Sequence, residues 1–303
     1  MFIEQAYKGN NESWRVLVTT LLSTGIFIMN FIMFLVLPTE TIKSSYDLMN
    51  EMPKIVALIV NLLPFVFLLG LLFTLVYTLH KRTILSITTT RKSIDLKRFF
   101  FSFGLIVFLT LVTFGVTYFN DHSNMVWNFH PVKFLLLFIV SIVLFPFQIG
   151  FEEFLFRGYL MQQIGILAKN RWMPLLVTSV IFGLFHSANP EVAEMGFGVM
   201  VFYIGTGFLL GIMTLMDEGL ELSLGFHLGN NLMAALLITS DFSALQTDAL
   251  FKLSAKENPA DTLNDMLLSM LILYPIILLC MAKKYKWSHW KEKLTGKIDA
   301  VKL

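Results

Sequence analysis

Two neighbouring glutamates, Glu152 and Glu153, lie inside a long apolar stretch of the sequence, and Arg157 follows one helical turn later. An ionised side chain near the centre of a bilayer costs about 2.5–3.5 kcal/mol on insertion scales, so charge in such a stretch usually has a function. A carboxylate that is shielded from water can act as a general base and remove a proton from a water molecule. The glutamates are therefore the first candidates for chemistry.

Two of the six histidines also lie in apolar stretches, each with a partner at helical spacing. His186 follows Phe182 by four residues, and His227 precedes Asn231 by four. A histidine beside a carboxylate can orient a water molecule or carry its proton, and an asparagine can donate a hydrogen bond to an oxyanion. We therefore predict hydrolysis by an activated water in one small cavity, formed by Glu152, His186, His227 and Asn231.

Helix geometry separates the roles of the two glutamates. Glu153 and Arg157 are about 40° apart around a helix axis, so they can form an ion pair on one face. Glu152 lies about 100° from Glu153, so it stays outside that pair, and two histidines and an asparagine are available to it from other helices. Glu153, Arg157 and Phe182 are therefore interpreted as supporting residues, and Glu152 as the residue that contacts water.

The same side chains allow a second chemistry. Glu152, His186 and His227 would make a site for Zn²⁺ with a water molecule in the open position. The sequence has no HExxH motif, and its one cysteine, Cys280, gives no thiolate zinc site. The sequence leaves both alternatives open, a site that holds Zn²⁺ and a site without a metal.

The composition is that of a polytopic membrane protein. The 303 residues are 56% hydrophobic and 15% charged, and the mean hydropathy is +0.70. The net charge of +2 gives no indication of a nucleic-acid surface. The sequence predicts an all-α bundle of about eight transmembrane helices, at residues 14–37, 55–77, 99–119, 134–164, 173–187, 195–216, 220–239 and 263–282.

Basic residues predict the orientation of these spans. They concentrate in the loop 80–98 and in the tail after residue 282, which places both segments, and both termini, in the cytoplasm. We expect an integral protein of the plasma membrane if the source is bacterial, with the lipid bilayer as its surroundings. The sequence does not indicate an oligomeric state.

The coarse organisation has three parts, an N-terminal three-helix region (1–132), a catalytic core (133–240), and a last helix with a basic tail (241–303). The fourth span is overlong, and Pro146 should kink it. Residues 165–172 are expected to fold beneath the membrane so that His186 can reach Glu152. Asp217, Glu218 and Glu221 look like a solvated inner loop.

The polar residues form three motifs in order, each in its own apolar stretch: Glu152-Glu153-xxx-Arg157, Phe182-xxx-His186 and His227-xxx-Asn231. Over about residues 134–239 they resemble the integral-membrane CAAX-type proteases and bacteriocin-processing enzymes, often called the CPBP or Abi family. The resemblance implies an eight-helix fold whose site opens toward the cytoplasm. It also implies that Glu152 activates water with His186, while His227 and Asn231 stabilise the oxyanion. The family is described as metalloproteases, although a glutamate-activated water needs no metal.

The function indicated is an intramembrane endopeptidase that cleaves a peptide or a lipidated protein. Prenylated tails, bacteriocin-type peptides and other membrane proteins all stay open as substrates. Two other classes also stay open, a proton-coupled transporter and a catalytically idle scaffold or immunity protein. Intramembrane carboxylates and histidines build proton relays too, but no internal repeat typical of transporters is visible.

Overall fold

The computed structural model describes residues 1–38, 40–41, 44, 51–120, 122–241, 243–254 and 258–298, with Phe34 described by its backbone alone. Apart from a 3₁₀ helix at Ile3–Lys8 and a π-helical turn at Phe154–Leu160, the described helices are α1 (Ser13–Val36), α2 (Lys54–Thr78), α3 (Ile84–Thr88), α4 (Leu96–Asn120), α5 (Pro131–Glu153), α6 (Met161–Ala168), α7 (Trp172–Leu184), α8 (Pro190–Met195), α9 (Val199–Asp217), α10 (Glu221–Leu236), α11 (Pro259–Tyr285) and α12 (Trp290–Thr295).

The predicted all-α membrane bundle is confirmed. Within the described ranges, six helical stretches are long and apolar enough to cross a membrane: Ser13–Met33, Lys54–Thr78, Leu96–Asn120, Pro131–Ala168, Val199–Asp217 and Pro259–Tyr285. The other two predicted spans are helical but short, with 13 residues in α7 and 16 in α10. A helix needs about 20 residues to cross the hydrocarbon core, so these two end within the bundle and bring their polar residues there.

The overlong fourth span is one helical stretch of 38 residues, Pro131–Ala168. The backbone stays α-helical through Pro146 and changes only at the π-helical turn, directly after Glu153. Such turns are rare and are frequently found at functional sites. Gly158 in this turn lets α3 approach, because a Cβ atom there would lie 2.8 Å from the carbonyl oxygen of Ile87.

One end of the bundle is closed by the 3₁₀ helix, α3, α6 and α12. Arg171 is buried there and pairs with Glu4 at 2.8 Å, and the amide of Ile298 donates to the carbonyl of Lys169 at 3.0 Å. Residues 165–172 thus join α6 to α7 while packing against both the first and the last described segments of the chain. Both of these segments therefore lie at the same end of the bundle.

The opposite end carries a small sheet of β1 (Met125–Trp127), β2 (Ile238–Thr239) and β3 (Phe251–Leu253) in the order β1-β3-β2. β3 is antiparallel to β1 and parallel to β2. Parts of the predicted loops 120–131 and 240–262 are thereby paired, and residues 121, 242 and 255–257 of these loops lie outside the described part of the chain. The sheet anchors the end of α10 to the segment that leads into α5.

α10 lies at the centre of the bundle and packs against α4 and α5. Its contact with α4 depends on Gly225, where a Cβ atom would lie 2.1 Å from the carbonyl oxygen of Phe99. Backbone contact this close brings a short helix deep between two long ones. The residues that α10 presents to α5 are those of the third motif.

Candidate active site

The two glutamates are the last residues of α5 and are both buried, Glu152 with 7% of its surface exposed and Glu153 with none. They lie where the α-helix passes into the π-helical turn. Because neighbouring helical residues point about 100° apart, the two carboxylates leave α5 in different directions.

The predicted ion pair between Glu153 and Arg157 is present at 3.0 Å, with neither side chain exposed. Arg157 also donates to the carbonyl oxygen of Gly207 at 3.2 Å and lies 4.3 Å from the ring centroid of Phe182. The guanidinium thus joins α5 to α9 and α7 by an ion pair, a hydrogen bond and a cation–π contact.

His227 lies between the two glutamates. Its Nδ1 is 2.9 Å from Glu153 Oε1, and its Nε2 is 3.5 Å from Glu152 Oε2. Because a carboxylate only accepts, the proton of the hydrogen bond to Glu153 is on Nδ1, which turns Nε2 toward Glu152. Glu152 thus lies outside the Glu153–Arg157 pair, and His227, one of the two histidines available to it, lies beside it. The two glutamates point in different directions around the axis of α5. α10 inserts where the imidazole of His227 reaches both of them.

Gln148 connects Glu152 to Asn231, and sequence reasoning missed it. Gln148 Nε2 donates to Glu152 Oε1, and Asn231 Nδ2 donates to Gln148 Oε1, both at 3.4 Å, which is longer than the usual 2.7–3.2 Å. A signal was present in the sequence, since Gln148 is a polar residue in an apolar stretch one helical turn before Glu152. Asn231 thus joins the site through Gln148.

His186 lies in the turn after α7. Its Nδ1 is 2.8 Å from the carbonyl oxygen of Phe182, and its ring stacks on Tyr203 with centroids 4.4 Å apart. The ring of Phe182 contacts both histidines, with centroids 4.8 Å from His186 and 6.0 Å from His227. Within the described structure no hydrogen bond joins His186 to a glutamate. His186 is thus connected to His227 through the ring of Phe182.

The described side chains do not fit a metal centre as they are arranged. Among them, no group of three or more His, Cys, Asp or Glu residues is placed to hold a metal ion. Both ring nitrogens of His227 face carboxylates, and Nδ1 of His186 faces a carbonyl. We therefore derive no step through Zn²⁺.

Residues 131–233 match a family model described as "Type II CAAX prenyl endopeptidase Rce1-like". The match begins with α5 and ends within α10, so it covers all three motifs. This part of the chain is similar to the Rce1-like family. The resemblance inferred from the motifs is thereby confirmed for these residues.

The chain is also similar to a protein of Bacillus subtilis (strain 168) that bears the name "Uncharacterized protein YyaK". The two are 28% identical over 241 residues, which cover 77% of this chain and 80% of the relative. The similarity therefore extends well beyond residues 131–233. No solved structure matches the chain significantly.

A buried ionic network holds the start of α10 in place. Asp217 and Glu221, which looked like a solvated loop in the sequence, are 5% and 1% exposed. Arg91 pairs with Asp217 at 2.8 Å and with Glu221 at 3.1 Å, and Arg98 also contacts Asp217. The basic loop before α4 thus holds α9 and α10 together and sets the position from which His227 reaches the glutamates.

Proposed function

We propose that this protein is an intramembrane endopeptidase that cleaves peptide bonds with a water molecule activated by Glu152. The observation that carries the proposal is the buried sequence of contacts Glu153–His227–Glu152. It resembles the arrangement in which a second carboxylate fixes the tautomer and orientation of a catalytic histidine. The similarity to the Rce1-like family supports the reaction class.

Charge balance supports a role for His227 in proton transfer. With Glu152 and Glu153 ionised and Arg157 positive, the buried cluster carries one negative charge, and a proton shared between Glu152 and His227 neutralises it. Glu152 Oε2 is buried, and apart from Nε2 of His227 at 3.5 Å no described residue is placed to donate to it.

The proposed reaction proceeds through a tetrahedral intermediate. Glu152 takes a proton from the water molecule as the water oxygen attacks the carbonyl carbon of the peptide bond. His227 shares the proton that Glu152 has taken. Asn231, held through Gln148, donates to the oxyanion, and Nε2 of His186 is free to hold the attacking water. When the C–N bond breaks, the proton passes from Glu152 and His227 to the leaving amine.

The substrate class is a peptide that reaches the site from the lipid bilayer. Prenylated tails and unmodified membrane proteins both meet this description, and so does a bacteriocin-type peptide. We place both termini in the cytoplasm, because the basic loop 80–98 and the basic tail lie at the same end of the bundle and mark the cytoplasmic side.

The test compares Glu152→Gln with the wild type in proteoliposomes that contain a library of fluorogenic apolar peptides. We expect cleavage to fall by at least about 100-fold, because general-base catalysis contributes that much, with no loss of thermal stability. Glu292→Gln is the matched control, since Glu292 is 62% exposed and far from the site. Full activity of the folded Glu152→Gln protein would refute the proposal. Proton flux without cleavage would favour a transporter.

A further inference from the structure

A cavity of about 460 Å³ lies between α1, α2 and the turn that follows α7. Its wall is mostly apolar, but three asparagines also line it, Asn30, Asn61 and Asn189. Asn189 donates to the hydroxyl of Tyr203 at 3.1 Å. The side chains of Asn30 and Asn61 form no hydrogen bond with any residue that the structure describes.

The two unpaired amides indicate what the cavity binds. Asn30 and Asn61 belong to neighbouring membrane helices, where an amide without a partner costs free energy. A hydrocarbon chain would leave both amides unpaired. An extended peptide offers a donor and an acceptor at each residue, and its own backbone needs partners in the same apolar surroundings. The asparagine amides and the peptide backbone can therefore form the hydrogen bonds that each of them lacks.

The cavity adjoins the candidate active site. Phe185 and Ser187, on either side of His186, both line it. Phe27 of α1 also lines it and stacks on Phe185 at 5.1 Å and on Phe151 at 5.9 Å. Phe151 directly precedes Glu152 in α5. One aromatic layer thus links the cavity to the residue next to Glu152 in α5.

α1 forms one wall of the cavity. Of the other helices, it packs chiefly against α2. Large side chains along it are exposed, including Leu21 at 51%, Met29 at 55% and Met33 at 46%. The cavity therefore lies behind a helix at the edge of the bundle.

We propose that this cavity is the lateral entry site for an extended apolar peptide segment of a membrane-embedded substrate. Asn30 and Asn61 bind the backbone of the segment, and Phe27 turns aside to let it reach Glu152. The inference rests on the proposed endopeptidase activity, for which it names a substrate class, a polypeptide that is unwound within the bilayer.

The test uses photo-crosslinking from the cavity wall in the Glu152→Gln protein, which binds without cutting. Phe31, which lines the cavity, is replaced by benzoylphenylalanine. The probe is a biotinylated peptide of alternating Leu and Ala with a central Gly-Pro pair, inserted in phosphatidylcholine vesicles. We expect a crosslink to the peptide that falls roughly tenfold in Asn30→Leu/Asn61→Leu, because each hydrogen bond within a membrane is worth a factor of about three.

Asn120→Leu is the matched control, because Asn120 is exposed at the end of α4 and does not line the cavity. It should leave the crosslink unchanged. If the double variant does not fold, Asn61→Leu alone should lower the crosslink about threefold. A crosslink to phospholipid alone, or one that the asparagine variants leave unchanged, overturns the inference. If the wild type cleaves the peptide but no crosslink forms at position 31, the entry site is overturned and the proposed protease activity is upheld. A crosslink without cleavage upholds the entry site and overturns the protease.

Discussion

Replacement of Glu153 by Gln should lower stability, and this distinguishes Glu153, whose charge is structural, from Glu152, whose charge is catalytic. Glu153 is fully buried, and its Oε1 accepts from both Arg157 and His227. Removing one partner of a buried ion pair costs about 3–5 kcal/mol, because the other charge stays buried without compensation. The amide of Gln can accept a hydrogen bond from Arg157, but it cannot balance the charge.

Glu152→Gln should behave in the opposite way. Glu152 forms no ion pair with an arginine or a lysine among the described residues, and its Oε2 accepts no hydrogen bond there. Its neutralisation should change the free energy of unfolding by less than about 1 kcal/mol while it abolishes cleavage. The double variant Glu153→Gln/Arg157→Met removes both charges of the pair and should recover most of the lost stability.

The assay is thermal unfolding in one detergent, followed by circular dichroism of the helices. At about 2–4 °C for each kcal/mol, Glu153→Gln should unfold roughly 6–20 °C below Glu152→Gln. Equal melting temperatures of these two single variants would refute the assignment of Glu153 as the structural member. A double variant no more stable than Glu153→Gln would show that the loss does not come from the buried charge.

Gln148→Leu should lower cleavage by about 10- to 100-fold with little change in melting temperature, because Glu152 loses the amide that orients it. Gln246→Leu, in a loop near the sheet, is the control. Unchanged cleavage by the Gln148→Leu protein would contradict the role of Gln148. Burial raises the pKa of the Glu191 carboxyl above its ordinary value. The folded state therefore binds the carboxyl proton more tightly than the unfolded state does. Stability is lost as the pH rises through the raised pKa. Glu191→Gln should therefore raise the melting temperature at about pH 8 and not at about pH 4, as scanning calorimetry can measure; an equal effect at both values would refute this. Gly225→Ala should cost about 1–3 kcal/mol in thermal unfolding, because the new methyl group meets the carbonyl of Phe99, and wild-type stability would contradict the close approach of α10 and α4.

The class of fold follows from composition alone. Long apolar stretches must become helices in a membrane, because each backbone polar group needs a partner within its own segment. The sequence therefore predicts an all-α bundle. It also predicts spans at 173–187 and 220–239, but it does not show that the helices there have only 13 and 16 residues. Hydropathy does not distinguish a short helix held by its neighbours from one that crosses the bilayer.

Local spacing was equally informative about the ion pair. Glu153 and Arg157 are four residues apart in one helix, and the pairing that this spacing predicts is present. Contacts within a helix depend on the chain's own geometry, so the sequence is sufficient to predict them.

Contacts between helices were decided by tertiary structure. Nothing in the spacing of α10 shows that His227 touches both glutamates, that Gln148 stands between Glu152 and Asn231, or that Phe182 contacts both histidines. These contacts depend on how deeply α10 inserts, which close backbone packing at Gly225 permits. The sequence by itself determined which residues carry charge inside the membrane and that Glu153 pairs with Arg157. Tertiary packing decided the partners on other helices, because the distance between helices is set by side chains far apart in the chain.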